Sequence, residues 1–250
     1  MLIKLAVNEE EVKTSPSLYP VKINLKYNLS KEFSMNSIIS SINFLATFMQ
    51  EGGIFMWVIL ALFMIGIGIA IERFIVLFFT YDTDGPSFMN ELQRYVLSND
   101  IPGAIRICSA SKAALPRVLK NGLKRTGEKL EQIQNALDAT ALEVIPKVEK
   151  RLGNMQLLAN ISTLFGLLGT IQGLIQSFGA VAQADPSQKA ELLASGIAVA
   201  MNTTALGLFS AITLLLIHAV LNNKAEKIIG EIDEFSVKLL NLFGTKKKAV

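Results

Sequence analysis

From Leu192 to Leu221 the chain runs thirty residues without a formally charged side chain. A helix of about 20 mostly apolar residues crosses a hydrocarbon core of roughly 30 Å. A helix suits this medium because each backbone N–H finds its carbonyl within the segment, where no water can substitute. Two further runs meet the same length: Ile54–Phe79, interrupted only by Glu72-Arg73 near its end, and Met155–Ala182. The three runs predict an all-α membrane protein with transmembrane helices at 54–79, 155–182 and 192–221. Composition agrees, since 51% of the residues are hydrophobic and 18% charged, too apolar a balance for an ordinary soluble domain.

Charge sets the orientation. Thr80–Arg151 carries eleven Lys or Arg and the tail after Leu221 carries six, whereas Gln183–Glu191 carries only Lys189. Positive loops stay inside, so 82–150 and 222–250 are expected in the cytoplasm and the short 183–191 linker outside. Three spans then put the N-terminus outside and the C-terminus inside. The same rule accounts for the net charge of +3, so a nucleic-acid partner is not expected.

Residues 1–50 form an N-terminal extension. The first 34 residues are polar, with no signal-peptide core, and Met35 would make a natural start. Residues 36–49 read as an amphipathic helix on the outer surface. Trp57 and Tyr81 bracket the first span as interfacial anchors, about 36 Å apart along a helix. Region 82–150 reads as cytoplasmic helices broken at Gly85-Pro86 and at Asp100–Gly103, with Asp100 as a helix cap. From about Glu128 a helical pattern runs on into the second span. Pro146 predicts a kink there. The second and third helices are therefore expected to extend far into the cytoplasm.

Several chemistries are excluded. One cysteine, Cys108, and one histidine, His218, give no disulfide framework and no multi-His or Cys-rich metal site. The glycines of FGLLGTIQG (165–173) lack the lysine and the water-facing turn of a phosphate loop. No nucleophile–base pair or carboxylate pair can be assembled. The sequence predicts no enzyme, no cofactor and no metal.

Spans two and three are of a different kind from the bulky first span. Thr163, Gly166, Thr170, Gly173 and Ser177 recur at helical spacing in the second; Gly196, Ala200, Thr203, Gly207 and Ser210 do so in the third. Together with Gly169, such small residues let helix backbones approach closely in a membrane. Counted from the outer ends of their runs, Thr170, Thr203 and Thr204 share one depth, about 18 Å down. Asn202 lies about 100° around the helix from Thr203 and reads as a residue that pins neighbouring helices. The hydroxyls alone fit either interhelical hydrogen bonding or an ion path. Neither span carries a carboxylate, so a titrating group would have to come from another chain.

FGLLGTIQGLIQSF (165–178), SGIAVAMNTTALGLFSAI (195–212) and AIERF (70–74) resemble the signatures of the MotA/TolQ/ExbB family over roughly residues 40–243. Three spans with the large loop after the first resemble its ExbB and TolQ branch. The resemblance implies an inner-membrane channel subunit that converts proton motive force into work on the envelope or import across the outer membrane. It implies a homopentamer around a single-span ExbD-, TolR- or MotB-like partner that carries a membrane Asp, with a TonB- or TolA-like effector beyond. The ion path would run past Thr170 and Thr204, with Thr203 beside them. Gly166, Gly169, Gly173, Gly196, Gly207 and Asn202 would pack the helices. Two positions depart from the pattern: Val199 stands where the branch commonly has Glu, and Thr163 where it usually has Pro. The Thr203-Thr204 pair also resembles sodium-driven stators, which keeps that coupling ion as an alternative. A purely structural scaffold is the other.

Overall fold

A computed structural model describes Asn43, residues 46–50 and residues 52–248, with side chains through Thr245. Residues up to 51 form one unit and Gly52 onward another. In the first, residues 46–50 are helical and the Thr47 hydroxyl donates to the Asn43 carbonyl at 2.9 Å. The expected surface helix over 36–49 lies mostly outside the described residues.

The second unit is built of helices alone among the described residues. They are α1 (Gly53–Ile75), α2 (Gly85–Leu97), α3 (Ile101–Ala110), α4 (Ala114–Lys124), α5 (Leu130–Glu149), α6 (Leu152–Gln183) and α7 (Lys189–Lys248). A five-residue π-helical turn, Val76–Thr80, ends α1. Asp100 caps α3, its Oδ1 accepting the Gly103 N–H at 2.9 Å. Glycine at residue 53 enters α1 with φ +69°, a left-handed conformation that costs a residue without Cβ little.

Three helical stretches are long and apolar enough to cross a membrane, and within their most apolar windows no more than 28% of residues are buried by the chain itself. Exposed Ile54, Trp57, Met64 and Ile65 on α1, Leu164 and Ile175 on α6, and Met201, Phe209 and Leu216 on α7 are surfaces that lipid or other chains must cover. The remaining helices make a water-soluble type of core. Leu92 and Val96 of α2, Leu115 and Leu119 of α4, and Ile133, Leu137 and Val144 of α5 are buried in it. The far half of α7 supplies Leu221, Ala225, Ile228, Ile232, Phe235, Leu239 and Phe243. Their steps of three and four residues keep one face of α7 on the bundle. One 60-residue helix therefore belongs to both the apolar spans and the polar-surfaced bundle.

Pro146 sits inside α5, and the helix expected to run on into the second span is broken at Lys150 (φ −47°, ψ 131°) and Arg151 (φ 66°). Arg73 holds the break: its Nη1 donates to the Lys147 carbonyl at 3.2 Å, one of the carbonyls that a helix leaves unpaired in its last turn. Arg73 is buried at 3% exposure, with Glu72 Oε1 at 3.5 Å, while the other Glu72 oxygen pairs with Arg151. Glu72-Arg73, at the end of the first span, is thus paired and ties that span to the α5–α6 junction. A second tie, Lys224 to Asp82 at 2.7 Å, joins α7 to the chain just after the π turn, with the ammonium 5.1 Å from the Phe78 ring.

Candidate functional site

Helices α6 and α7 pack antiparallel along a seam of small residues. On α6 the buried ones are Ser162, Gly166, Gly169, Gly173 and Ser177. On α7, Ala200, Thr203, Gly207 and Ser210 are buried and Gly196 is half-buried. A Cβ on Gly207 would stand 2.8 Å from the Ser162 carbonyl oxygen and 2.9 Å from Gly166 Cα; one on Gly173 would stand 3.3 Å from Ala200 Cα. Backbone meets backbone here, and only glycine leaves the room.

The α7 stripe has the spacing that the sequence predicts, and Gly166, Gly173 and Ser177 of the α6 stripe lie in the seam, but its other two positions are shifted by one residue. Thr163 is exposed and Thr170 half-exposed, while Ser162 and Gly169 occupy the seam. These glycines join two helices of one chain, so they are spent within the protomer. Ser162 is bonded to the Leu158 carbonyl at 2.8 Å; the Oγ of Ser210 is buried without a hydrogen-bond partner among the described residues.

Helix α1 covers one flank of the pair. Phe55 lies 6.3 Å from Phe165 of α6, and Phe63 lies 6.2 Å from Phe209 of α7. At about 100° per residue, Thr170 and Thr163 project to the opposite flank of α6 from Phe165. Thr204 projects to the opposite flank of α7 from Phe209 by the same count. The side of the seam away from α1 is thus open, and the hydroxyls of Thr170 and Thr204 border it.

The three threonines are treated differently. Thr203 is buried in the seam against Gly169; its hydroxyl lies 3.0 Å from the Val199 carbonyl and 3.3 Å from that of Gly52. Thr204 is half-buried and donates to the Gly166 carbonyl of the facing helix at 3.1 Å. Thr170 donates to the Leu167 carbonyl in its own helix at 2.6 Å. Each donor is thus occupied by a carbonyl, and each oxygen keeps lone pairs to accept a proton donor or meet a cation. Asn202 is half-buried on the α1 side and makes no side-chain hydrogen bond among the described residues.

The level of these threonines relative to α1 is something that a count along their own helices does not give. The Gly169–Thr203 contact does set Thr170 level with Thr203, as the count expects. Yet Thr203 meets Gly52, at the very start of α1, while Arg73 at its far end meets the α5–α6 junction. About twenty residues of α1, roughly 30 Å, separate those two levels. Measured against α1, the threonines stand at one end of the span rather than at its middle.

Sequence comparison agrees with this architecture. The family model described as the MotA/TolQ/ExbB proton channel family matches residues 110–234, half of the chain. The biopolymer transport protein ExbB homolog of Methanothermobacter thermautotrophicus is 24% identical over 196 residues, covering 77% of this chain and 69% of that protein. Biopolymer transport protein exbB1 of Vibrio cholerae is 37% identical over 89 residues, 36% of this chain and 39% of its own length. The Tol-Pal system protein TolQ of Haemophilus influenzae is 34% identical over 99 residues, 38% of this chain and 43% of its own length. The chain therefore spans less than half the length of these two bacterial relatives. The solved structure titled C. jejuni MotAB shares the fold, with a TM-score of 0.56 at 16% identity over 72% of this chain and 69% of that one. Apolar helices of spanning length, the glycine seam and the family match over its core lead to one conclusion: this chain is a membrane protein of the MotA/TolQ/ExbB proton channel family.

Proposed function

We propose that the chain is the channel-forming subunit of an ion-driven motor in the inner membrane, coupled to protons, with its N-terminus outside and its C-terminus in the cytoplasm. Several copies, five by resemblance, surround a single-span partner of the ExbD, TolR or MotB kind that brings the membrane carboxylate. The work is done on the envelope or on import across the outer membrane, through a TonB- or TolA-like effector. The observation that carries this reading is the open flank of the α6–α7 seam, which has the Thr170 and Thr204 hydroxyls on it while α6 itself holds no ionisable side chain. A partner's carboxylate entering that flank would find hydroxyl oxygens at one level. Protonated, it donates to them; ionised, it needs their water or their protons, and the alternation is what moves an ion.

Thr204→Val tests this. Valine keeps the branched shape and loses only the hydrogen-bonding oxygen. If the hydroxyl merely joins helices through Gly166, its loss costs about 0.6 kcal/mol, too little to stop an oligomer held by many contacts. If it serves the ion, the unpaired polar group raises the barrier by about 2–3 kcal/mol, a flux roughly a hundredfold lower. Flux and oligomer mass are to be measured on the same purified complex. Full flux in a normally assembled variant would favour the structural scaffold instead. Replacing external protons by sodium in the same assay decides the coupling ion.

A further inference from the structure

The open flank of α6 carries more than its threonines. Thr163, Asn160 and Gln156 follow Thr170 on the same side at steps of seven, three and four residues, interrupted only by Leu167. All three are exposed. Asn160 lies ten residues from Thr170, about 15 Å along the helix, and its neighbours Leu158 and Ala159 pack with Phe63 and Ile67 in the middle of α1. An amide exposed to hydrocarbon at that depth is costly. Leu157, Leu164, Ile171 and Ile175 instead mark the sector of α6 suited to lipid. The outward surface of this helix is thus divided into an apolar sector and a polar strip beside the seam. That strip points from the threonine level toward Arg151 and the polar bundle.

We infer that the Gln156–Asn160–Thr163 strip is the hydrated inward route of the channel, carrying the ion from the threonine level to the bundle side of the membrane. The route follows from the position of the threonines at the Gly52 end of α1: about 30 Å of span still lie beyond them. Amide and hydroxyl groups hold a water file because each can both donate and accept. Asn160 is the residue on which continuity depends, since it alone bridges Thr163 and Gln156, about 10 Å apart along the helix. This rests on the channel reading given above.

The test uses full-length protein in inside-out membrane vesicles, in a Cys108→Ala background, with a hydrophilic methanethiosulfonate as the probe. Asn160→Cys and Thr163→Cys are expected to react at least tenfold faster than Leu164→Cys, which is as exposed but lies in the apolar sector. Equal, slow reaction of Asn160→Cys and Leu164→Cys would overturn the inference. In the purified complex with its partner, Asn160→Leu should lower ion flux at least tenfold at unchanged oligomer mass, and Asn160→Gln should restore it. Full flux through Asn160→Leu together with silence of Thr204→Val would show the inward route to be wrong and leave the channel standing. Full flux through Thr204→Val would remove both. Should Asn160→Leu fail to assemble, the labelling ratio alone decides.

Discussion

Gly207→Ala should unsettle the α6–α7 pair, although alanine is the better helix former. Its new methyl would stand 2.8 Å from the Ser162 carbonyl oxygen and 2.9 Å from Gly166 Cα. Both are backbone atoms of α6, so no rotamer change relieves them. Ordinary contact requires about 3.5–4.0 Å between carbons, so the helices must part by several tenths of an ångström at this level. Such a gap forfeits a quarter or more of the dispersion attraction of each neighbouring contact. It also stretches the Thr204–Gly166 hydrogen bond from 3.1 Å toward the limit at which such bonds count. Overpacking of this kind costs about 1–3 kcal/mol. Against it, alanine gains about 0.8–1.0 kcal/mol in intrinsic helix propensity. The net expectation is a loss of up to about 2 kcal/mol, read from unfolding in mixed micelles followed by circular dichroism. Gly230→Ala supplies the control within the same helix, because a Cβ there meets nothing within 4 Å; it should be neutral or stabilising. Equal stabilities of the two variants would refute close backbone approach as the reason for the glycine.

Other consequences follow from the same structure. Arg73→Gln should loosen the α5–α6 junction by leaving the Lys147 carbonyl short of its donor, a cost of about 1–3 kcal/mol; limited trypsinolysis at Lys150 and Arg151 should then quicken several-fold, and an unchanged cleavage rate would count against the tie. Cys108 is buried, and burial pushes its thiol up from 9.0 to about 12. Its folded form therefore keeps a proton that the unfolded chain releases, so stability should fall as the pH rises from about 9 toward 12; Cys108→Ala should flatten that fall in a pH series of denaturation midpoints. The same burial makes Cys108 a poor topology reporter. With Cys108→Ala as background, Asp185→Cys should react with an impermeant thiol reagent from outside and Thr245→Cys only from the cytoplasmic side; the reverse pattern would invert the proposed orientation.

Much of this architecture is legible in the sequence because a bilayer imposes a length that few other environments do. Three apolar runs of more than twenty residues leave little choice but three spanning helices, and the run of α7 carries its packing stripe at unambiguous spacing. The α6 stripe was not so readable. Its small residues come in adjacent pairs, Ser162-Thr163 and Gly169-Thr170, and a period of 3.6 is satisfied by either member. Only the facing surface of α7 chooses, by admitting Gly169 where a Cβ would collide with the Thr203 side chain. That choice turns Thr163 and Thr170 outward, and with them the amides of Asn160 and Gln156.

The level of the threonines was equally hidden. Counting inward from the ends of apolar runs assumes that all three helices start together, and nothing in a single sequence fixes the offset between them. The offset is set by contacts between residues far apart in the chain: Gly52 with Thr203, Phe55 with Phe165, Arg73 with Lys147. The same holds for Arg73, which is a boundary charge in the sequence and a buried helix cap in the fold. Segment length, polarity and periodicity are local properties, so the sequence determines them. Which flank is covered, which residue of a pair faces the seam, and how far one helix is shifted along another depend on shape complementarity across distant segments, and only the tertiary structure decides them.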